Sequence, residues 1–340
     1  MVSLCRMQCE QFVPAWWLPG PHFQTLGARF LRSRRGIEFH RERLELPDGD
    51  FVDLDWAGTD GKTGRREDGK GPIVVVLHGL EGSARSKYAI ETYRQLLARN
   101  VTPVGLNFRS CSGELNRLPQ MYHSGETTDL AFVLRTLRTR YSTRRFGAIG
   151  FSLGGNVLLK YLGQHAESTE HTFPDVAAAV SVPFDLAAGA DYIERGMSKF
   201  YLAFLLRKLK SKIRGKEEQL AGLVDVNRVL SSRGFRDFDD TGTAPLHGFR
   251  DADDYYAQSS SNQFLATIGV TTLLIHSEDD PFLPSYAIPR AAAARNPNIE
   301  SHFVSTGGHV GFVEGLPWSP RFWAEATAAA FVSRHLADST

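Results

Sequence analysis

The sequence predicts an α/β protein: a mostly parallel central sheet with helices on both faces and a helical cap inserted late in the chain. Three observations carry that expectation. Apolar, β-branched runs alternate with segments at helical spacing, the pattern of strands joined by crossover helices. One such run, residues 146–149, ends in Gly150-Phe151-Ser152-Leu153-Gly154-Gly155 and passes at once into a helical segment. Between residues 182 and 270 the alternation stops and only helical spacing remains.

Residues 43–46 and 51–56 flank the turn Pro47-Asp48-Gly49-Asp50 and predict an antiparallel hairpin that starts the sheet. Residues 59–71 are polar and glycine-rich, an exposed loop. The apolar run 73–77 reads as a buried strand. Residues 88–100 and 128–141 predict amphipathic helices, the second with Leu130, Val133, Leu134 and Leu137 facing inward. Residues 101–108, 175–182, 270–276 and 301–304 add strands, and 319–336 predicts a closing helix carrying Phe322, Trp323, Ala326 and Phe331. The chain divides into a core with an N-terminal arm (1–183), a helical cap (184–264) and the rest of the core (265–340).

Gly150-Phe151-Ser152-Leu153-Gly154 reads as a nucleophile elbow, a pinched strand-to-helix turn that exposes one serine hydroxyl. Side chains at the two flanking positions would collide with the neighbouring elements, so glycine stands there. A serine hydroxyl is a weak nucleophile; it needs a base beside it and a carboxylate to orient that base. In the α/β-hydrolase arrangement these follow in the order Ser, Asp or Glu, His, each after a strand. Residues 270–276 lead into Ser277-Glu278-Asp279-Asp280-Pro281, and 301–304 lead into Gly307-Gly308-His309. Asp280 is therefore assigned as the orienting acid and His309 as the general base. Asp279 competes for the acid role; the spacing of Asp280 to Pro284 favours Asp280. Backbone N–H groups of Leu153, just after the serine, and Leu80, in the loop after strand 73–77, are the candidate oxyanion donors. His78 is expected to shape that loop.

The 340 residues carry a net charge of +1, which gives no pull toward nucleic acid. No apolar run approaches the roughly 20 residues that span a bilayer. The first ten residues lack the apolar core of a secretory signal. Cys5, Cys9 and Cys111 suggest neither a disulfide framework nor a zinc site. A cytoplasmic protein without metal or organic cofactor is expected; no phosphate-binding or dinucleotide fingerprint occurs. Oligomeric state is not legible. Residues 199–216 put Leu202, Leu205, Leu206, Leu209 and Ile213 on one stripe, with Lys208, Lys210, Lys212, Arg214 and Lys216 beside it. The favoured expectation is a cap helix that packs the stripe and solvates the charges; peripheral membrane contact is the alternative.

The chain also resembles the YheT-like branch of α/β-hydrolases, related to plant embryogenesis-associated proteins and their animal relatives. The resemblance rests on Trp17-Leu18-Pro19-Gly20-Pro21-His22-Phe23-Gln24-Thr25-Leu26, His78-Gly79-Leu80-Glu81-Gly82, Asn107-Phe108-Arg109-Ser110-Cys111-Ser112-Gly113-Glu114 and the elbow. It continues in Phe238-Asp239-Asp240, His247-Gly248-Phe249, Asp279-Asp280-Pro281-Phe282 and Gly307-Gly308-His309-Val310-Gly311-Phe312. It implies Ser152, Asp280 and His309 as the charge-relay set. Ser110 departs from the glycine usual in this branch. By the same resemblance His22 in the N-terminal arm is a candidate for the pocket wall, as are the loop residues Arg109 and His123, though packing of the arm and organising of the loop are the favoured roles. Trp16 and Trp17 are expected to anchor the arm. The expected function is hydrolysis of small-molecule or lipid-like carboxylic esters; acyl transfer from the same acyl-enzyme, or a non-catalytic binding role, are the rivals.

Overall fold

The computed structural model describes residues 11–58, 71–164 and 174–337. Its main sheet opens with β1 (Glu38–Glu45) and β2 (Phe51–Gly58), paired antiparallel from Glu38↔Gly58 to Glu45↔Phe51. Their turn forms because Gly49 takes φ 86 and the Asp48 carboxylate accepts the Asp50 N–H at 3.0 Å. The polar stretch 59–70 lies outside the described residues. Then follow β3 (Ile73–Leu77), β4 (Thr102–Asn107), β5 (Phe146–Phe151), β6 (Val176–Val180), β7 (Thr271–Ser277) and β8 (Ile299–Val304). The strand order is β1-β2-β4-β3-β5-β6-β7-β8. β2 runs antiparallel to β4, and every later neighbour is parallel. The C-terminal ends of β3, β5, β7 and β8 thus open on one edge, where ligands bind in such sheets.

The helices are α1 (Pro21–Leu31), α2 (Lys87–Leu97), α3 (Thr128–Arg140), α4 (Leu153–Gln164), α5 (Leu186–Tyr192), α6 (Ser198–Gly215), α7 (Glu217–Leu220), α8 (Val226–Ser231), α9 (Phe235–Phe238), α10 (Ala244–His247), α11 (Ala252–Ser259), α12 (Arg290–Arg295) and α13 (Trp323–Ala337). β3 shows why both faces of the sheet must be covered. Ile73, Val75 and Leu77 join the core under α3 and α4, while Val74 and Val76 join the core under α2 and α13. A strand apolar on both faces is stable only between two helical layers.

Two expectations change here. Residues 319–322 are not the start of the closing helix but a strand, β10 (Ser319–Phe322), paired with β9 (Val313–Leu316). Gly315 at φ 81 and an Arg321–Glu314 ion pair at 3.1 Å favour this small hairpin. The N-terminal arm completes it: Ala15 donates to the Val313 carbonyl and the Trp17 indole to the Gly315 carbonyl. Trp17 is thus an anchor, whereas Trp16 is 77% exposed. Phe12 takes the other anchoring place, against Phe312 and Trp323.

The charges of α6 are the second change. Leu202, Leu206 and Ile213 are buried as expected. Arg214 stays exposed as expected, but the lysines are paired with protein groups: Lys208 and Lys212 reach Glu81, Lys210 reaches the Ser232 carbonyl and Lys216 reaches Asn116. Long methylene stems let lysine cross an apolar stripe and deliver its ammonium to a polar group on the far side.

A buried ion pair ties the arm to α13. Arg32 lies 2.5 Å from the Glu325 carboxylate and donates to the carbonyls of Val310 and Gly311 at 2.9 and 3.1 Å. Burial pushes the Glu325 carboxyl up to about 7, against the pull of Arg32. Arg32→Met leaves that carboxyl without its cation, a change that costs about 3–5 kcal/mol. Urea unfolding is expected to show the largest loss at alkaline pH, where the wild-type carboxyl is ionised. The loss shrinks as pH falls through about 7, where the folded protein protonates that carboxyl with or without Arg32; the unfolded chain is the same in both and cancels.

Candidate active site

Ser152 sits where β5 turns into α4, at φ 51. A left-handed serine costs about 1–2 kcal/mol, and the surroundings compel it. Its N–H donates to the Val180 carbonyl at 2.8 Å. A Cβ at Gly150 would meet the Gly154 carbonyl oxygen at 2.5 Å, and one at Gly154 would meet the His78 carbonyl oxygen at 2.5 Å. Only this backbone path passes between β3 and β6, and it lifts the hydroxyl off the sheet edge.

His309 comes from the loop after β8 and Asp280 from the loop after β7. The structure brings both to Ser152. The His309 Nδ1–H donates to Asp280 Oδ2 at 2.8 Å, and Ser152 Oγ donates to His309 Nε2 at 3.0 Å, the tautomer following from those partners. Asp280 is 1% exposed, and its other oxygen accepts the Phe282 N–H at 2.8 Å. The Phe282 ring stacks on His309 at 4.1 Å. Asp279 points elsewhere: it accepts the Gly308 N–H at 2.9 Å and so shapes the histidine loop instead of orienting the imidazole.

Sequence reasoning did not foresee how α1 secures His309. The His309 N–H donates to Thr25 Oγ1 at 2.9 Å. Gly308, at φ 64, lies so close to α1 that a Cβ would meet the Pro21 carbonyl oxygen at 2.5 Å. From the sheet side, Ser181 Oγ accepts the Val310 N–H at 3.0 Å. His22, Gln24 and Thr25 each have a place. Gln24 bonds both ways to Val313, and His22 stacks on Tyr201 of α6 at 5.8 Å on the cavity wall.

The loop after β3 faces the serine from the other side. Gly79 approaches so closely that its missing Cβ would stand 3.1 Å from Ser152 Cβ. The Gly79 carbonyl accepts from His78 Nδ1 at 2.8 Å and from the Gly82 N–H at 2.9 Å. The N–H and C=O of one peptide plane point in opposite directions, so this anchoring aims the Leu80 N–H away from the loop. Among the described residues, neither Leu80 N–H nor Leu153 N–H donates to a protein group. His78 is fully buried, which pushes its pKa down to about 3, and its neutral ring also accepts the Phe108 N–H at 3.2 Å.

A cavity of about 1260 Å³ opens over Ser152, lined by Leu80, Tyr122, Ile193, Tyr201, Phe204, Leu205, Phe238, Leu246 and Phe282 among others. His123 lies on its wall, 4.4 Å from His247, and burial and then His247 hold its pKa well below the usual value. Arg109 does not line it, so the possible pocket place falls away and the organising role remains. Its guanidinium is locked on Asp129 at 2.7 and 2.8 Å and on Asp48 and Asp50, because a buried cation needs carboxylates at hand. Ser110 adopts φ 62, the conformation that glycine supplies freely, and its hydroxyl bonds with Asn116 in compensation. Cys111 is buried near Lys212, and burial pushes its thiol pKa up. No group of three or more His, Cys, Asp or Glu among the described residues is placed to hold a metal ion.

A parallel sheet with a strained serine at its central turn and a histidine and an aspartate at later strand ends defines the α/β hydrolases. Residues 72–316 match the family described as "alpha/beta hydrolase fold". The chain is 37% identical over 328 residues to the YheT protein of Escherichia coli (strain K12), covering 96% of this chain and 94% of that one. It is 30% identical over 314 residues to Phospholipase ABHD3 of Homo sapiens, covering 92% and 76%. It is 30% identical over 249 residues to Monoacylglycerol lipase of Saccharomyces cerevisiae, covering 71% and 55%. The chain belongs to the α/β-hydrolase family and, within it, to the YheT-like branch. The Pyrococcus furiosus esterase Pf2001 shares the fold, with TM-score 0.53 at 17% identity over 88% of this chain and 93% of that one. No described helix is long and apolar enough to cross a membrane.

The two aspartates can be separated by the labelling rate of Ser152 with a fluorophosphonate. Asp280→Asn is expected to slow it by about 10³–10⁴, since the imidazole loses its orienting carboxylate. Asp279→Asn retains a carbonyl acceptor for Gly308 and is expected to lose less than tenfold, about one hydrogen bond's worth.

Proposed function

We propose that the protein is a serine hydrolase of carboxylic esters that works through an acyl-enzyme on Ser152. The observation that carries this reading is the unbroken relay from Asp280 through His309 to the Ser152 hydroxyl, at 2.8 and 3.0 Å, at the floor of the cavity. His309 takes the hydroxyl proton as Ser152 Oγ attacks the ester carbonyl. The carbonyl oxygen becomes an oxyanion and accepts from Leu80 N–H and Leu153 N–H. His309 then passes its proton to the departing alcohol. Water, deprotonated by the same imidazole, attacks the acyl-enzyme; the second tetrahedral species collapses to acid and free serine. Asp280 holds the useful tautomer and offsets the imidazolium charge throughout.

The helices between β6 and β7 serve in this reading as a cap over the nucleophile. Tyr201, Phe204, Leu205, Phe238 and Leu246 from those helices give the cavity an apolar roof. That roof suits an acyl chain, and the relatives named as a phospholipase and a monoacylglycerol lipase support lipid-like esters as substrates. Hydrolysis of p-nitrophenyl esters across acyl lengths is the test. Turnover is expected at medium length and is expected to vanish in Ser152→Ala; turnover surviving in that variant would exclude the mechanism. Ethyl ester formed from added ethanol in preference to acid would shift the reading to acyl transfer.

Lipid contact, on this reading, falls to the rim of the cavity and not to the lysines of α6, which are turned inward. Leu26 and Phe30 on α1 and Met197 and Phe200 at the start of α6 are exposed there. Flotation with anionic vesicles at low salt is expected to carry the protein along and to weaken in Phe30→Ser. Failure to co-migrate would remove lipid contact and leave ester hydrolysis standing.

A further inference from the structure

The four residues Gly79-Leu80-Glu81-Gly82 form a turn closed by the Gly82 N–H on the Gly79 carbonyl, at 2.9 Å. Glu81, its third residue, has φ 54. Glycine is the usual occupant of a third turn position with positive φ, because an L side chain there favours rotating the preceding peptide and relaxing the turn. The Leu80 N–H lies on the peptide before that one, whose Gly79 carbonyl accepts the bond that closes the turn, so a turn that relaxes open loosens the plane carrying the Leu80 N–H.

Each polar group of the Glu81 backbone, and one carboxylate oxygen, is held from outside the turn. Tyr122 OH accepts the Glu81 N–H at 2.8 Å and donates to Glu81 Oε1 at 2.9 Å. Lys208 Nζ donates to the Glu81 carbonyl at 2.9 Å. Lys212 Nζ meets Oε1 at 2.7 Å, with the Glu81 side chain 4% exposed. Lys208 and Lys212 are four residues apart on α6, one turn of helix, and so present their ammonium groups to the same residue. Neither reaches the serine or the imidazole.

We propose that Lys208 and Lys212 are positioning residues: through Glu81 they hold the loop that aims the Leu80 N–H at the oxyanion, which makes the oxyanion hole depend on the docking of α6. The inference rests on the ester-hydrolase reading and adds to it a mechanical link between the roof of the cavity and the transition state. An α6 that swings outward releases Glu81 and loosens the hole. The hole is complete only when the roof is down, so an acyl-enzyme forms only in a covered cavity. The inward lysines thus have a use that packing of the apolar stripe would not require.

Lys208→Met and Lys212→Met keep most of the stem volume and remove the donors. Kinetics on p-nitrophenyl butyrate are expected to show kcat lower by about tenfold in Lys212→Met, the scale of a partly misaimed oxyanion donor, with KM within about twofold. A trifluoromethyl ketone, whose hydrate-like adduct on Ser152 carries an oxyanion, should bind more weakly by the same factor. Lys212→Arg, which preserves the charge, should recover part of the loss. Lys208→Met, which releases only a main-chain carbonyl, is expected to show a smaller loss of the same kind and serves if Lys212→Met does not fold. Variants that melt earlier but keep wild-type kcat and ketone affinity would overturn the proposal, as would a rise in KM at constant kcat. A wild-type protein without ester turnover would instead sink the ester-hydrolase reading, and this inference with it.

Discussion

The backbone of Ser152 is the constraint on which the rest of the site depends. A left-handed serine between a strand and a helix is unfavourable in isolation. It persists because β5 is sandwiched between β3 and β6, and because glycine at 154 lets β3, and glycine at 150 the start of α4, come within contact of the turn. The central strand fixes where the hydroxyl stands, and each other part of the site is built to meet it there. β7 and β8 run parallel to β5, so the loops that follow them emerge on the same edge. That register brings a histidine from a distant part of the chain within hydrogen-bond reach of the serine, and an aspartate within reach of the histidine.

Three independent elements then remove the freedom of the histidine loop. Asp279 and Ser277 hold Gly308 from β7, Ser181 holds Val310 from β6, and Thr25 holds the His309 N–H from α1. Preorganisation of this kind is where an enzyme places folding energy that would otherwise be spent on aligning groups during reaction. The N-terminal arm belongs to this support, although it lies outside the main sheet. Arg32 extends the tie to α13 through Glu325, so the arm, the closing helix and the histidine loop are joined at one residue.

Much of this was legible in the sequence because the signals were local. The runs at 73–77 and 146–149, and the helix 128–141, carry their own periodicity, and the elbow carries its own glycines. The boundary of the closing helix was not legible: residues 319–322 pair with 313–316 in a hairpin that Ala15 and Trp17, remote in sequence, complete. Adjacent aspartates at 279 and 280 differ in role by the direction of a side chain, which spacing alone favours but does not determine. A place for Arg109 on the wall was open because its motif lies near the pocket, and the carboxylates at 48, 50 and 129 that decide for the organising role are remote in sequence. The lysines of α6 were misread for the same reason. Their partner Glu81 lies more than a hundred residues away, and a cation without a visible partner reads as solvated.

The central claim is a covalent acyl group on Ser152. Rapid acid quench of the protein during turnover of a p-nitrophenyl ester, followed by intact-mass and peptide mapping, tests it most directly. A mass increase equal to the acyl group is expected, located on Ser152, and it decays on standing as water completes the cycle. Ester cleavage with no adduct, or with the adduct on another residue, would contradict it.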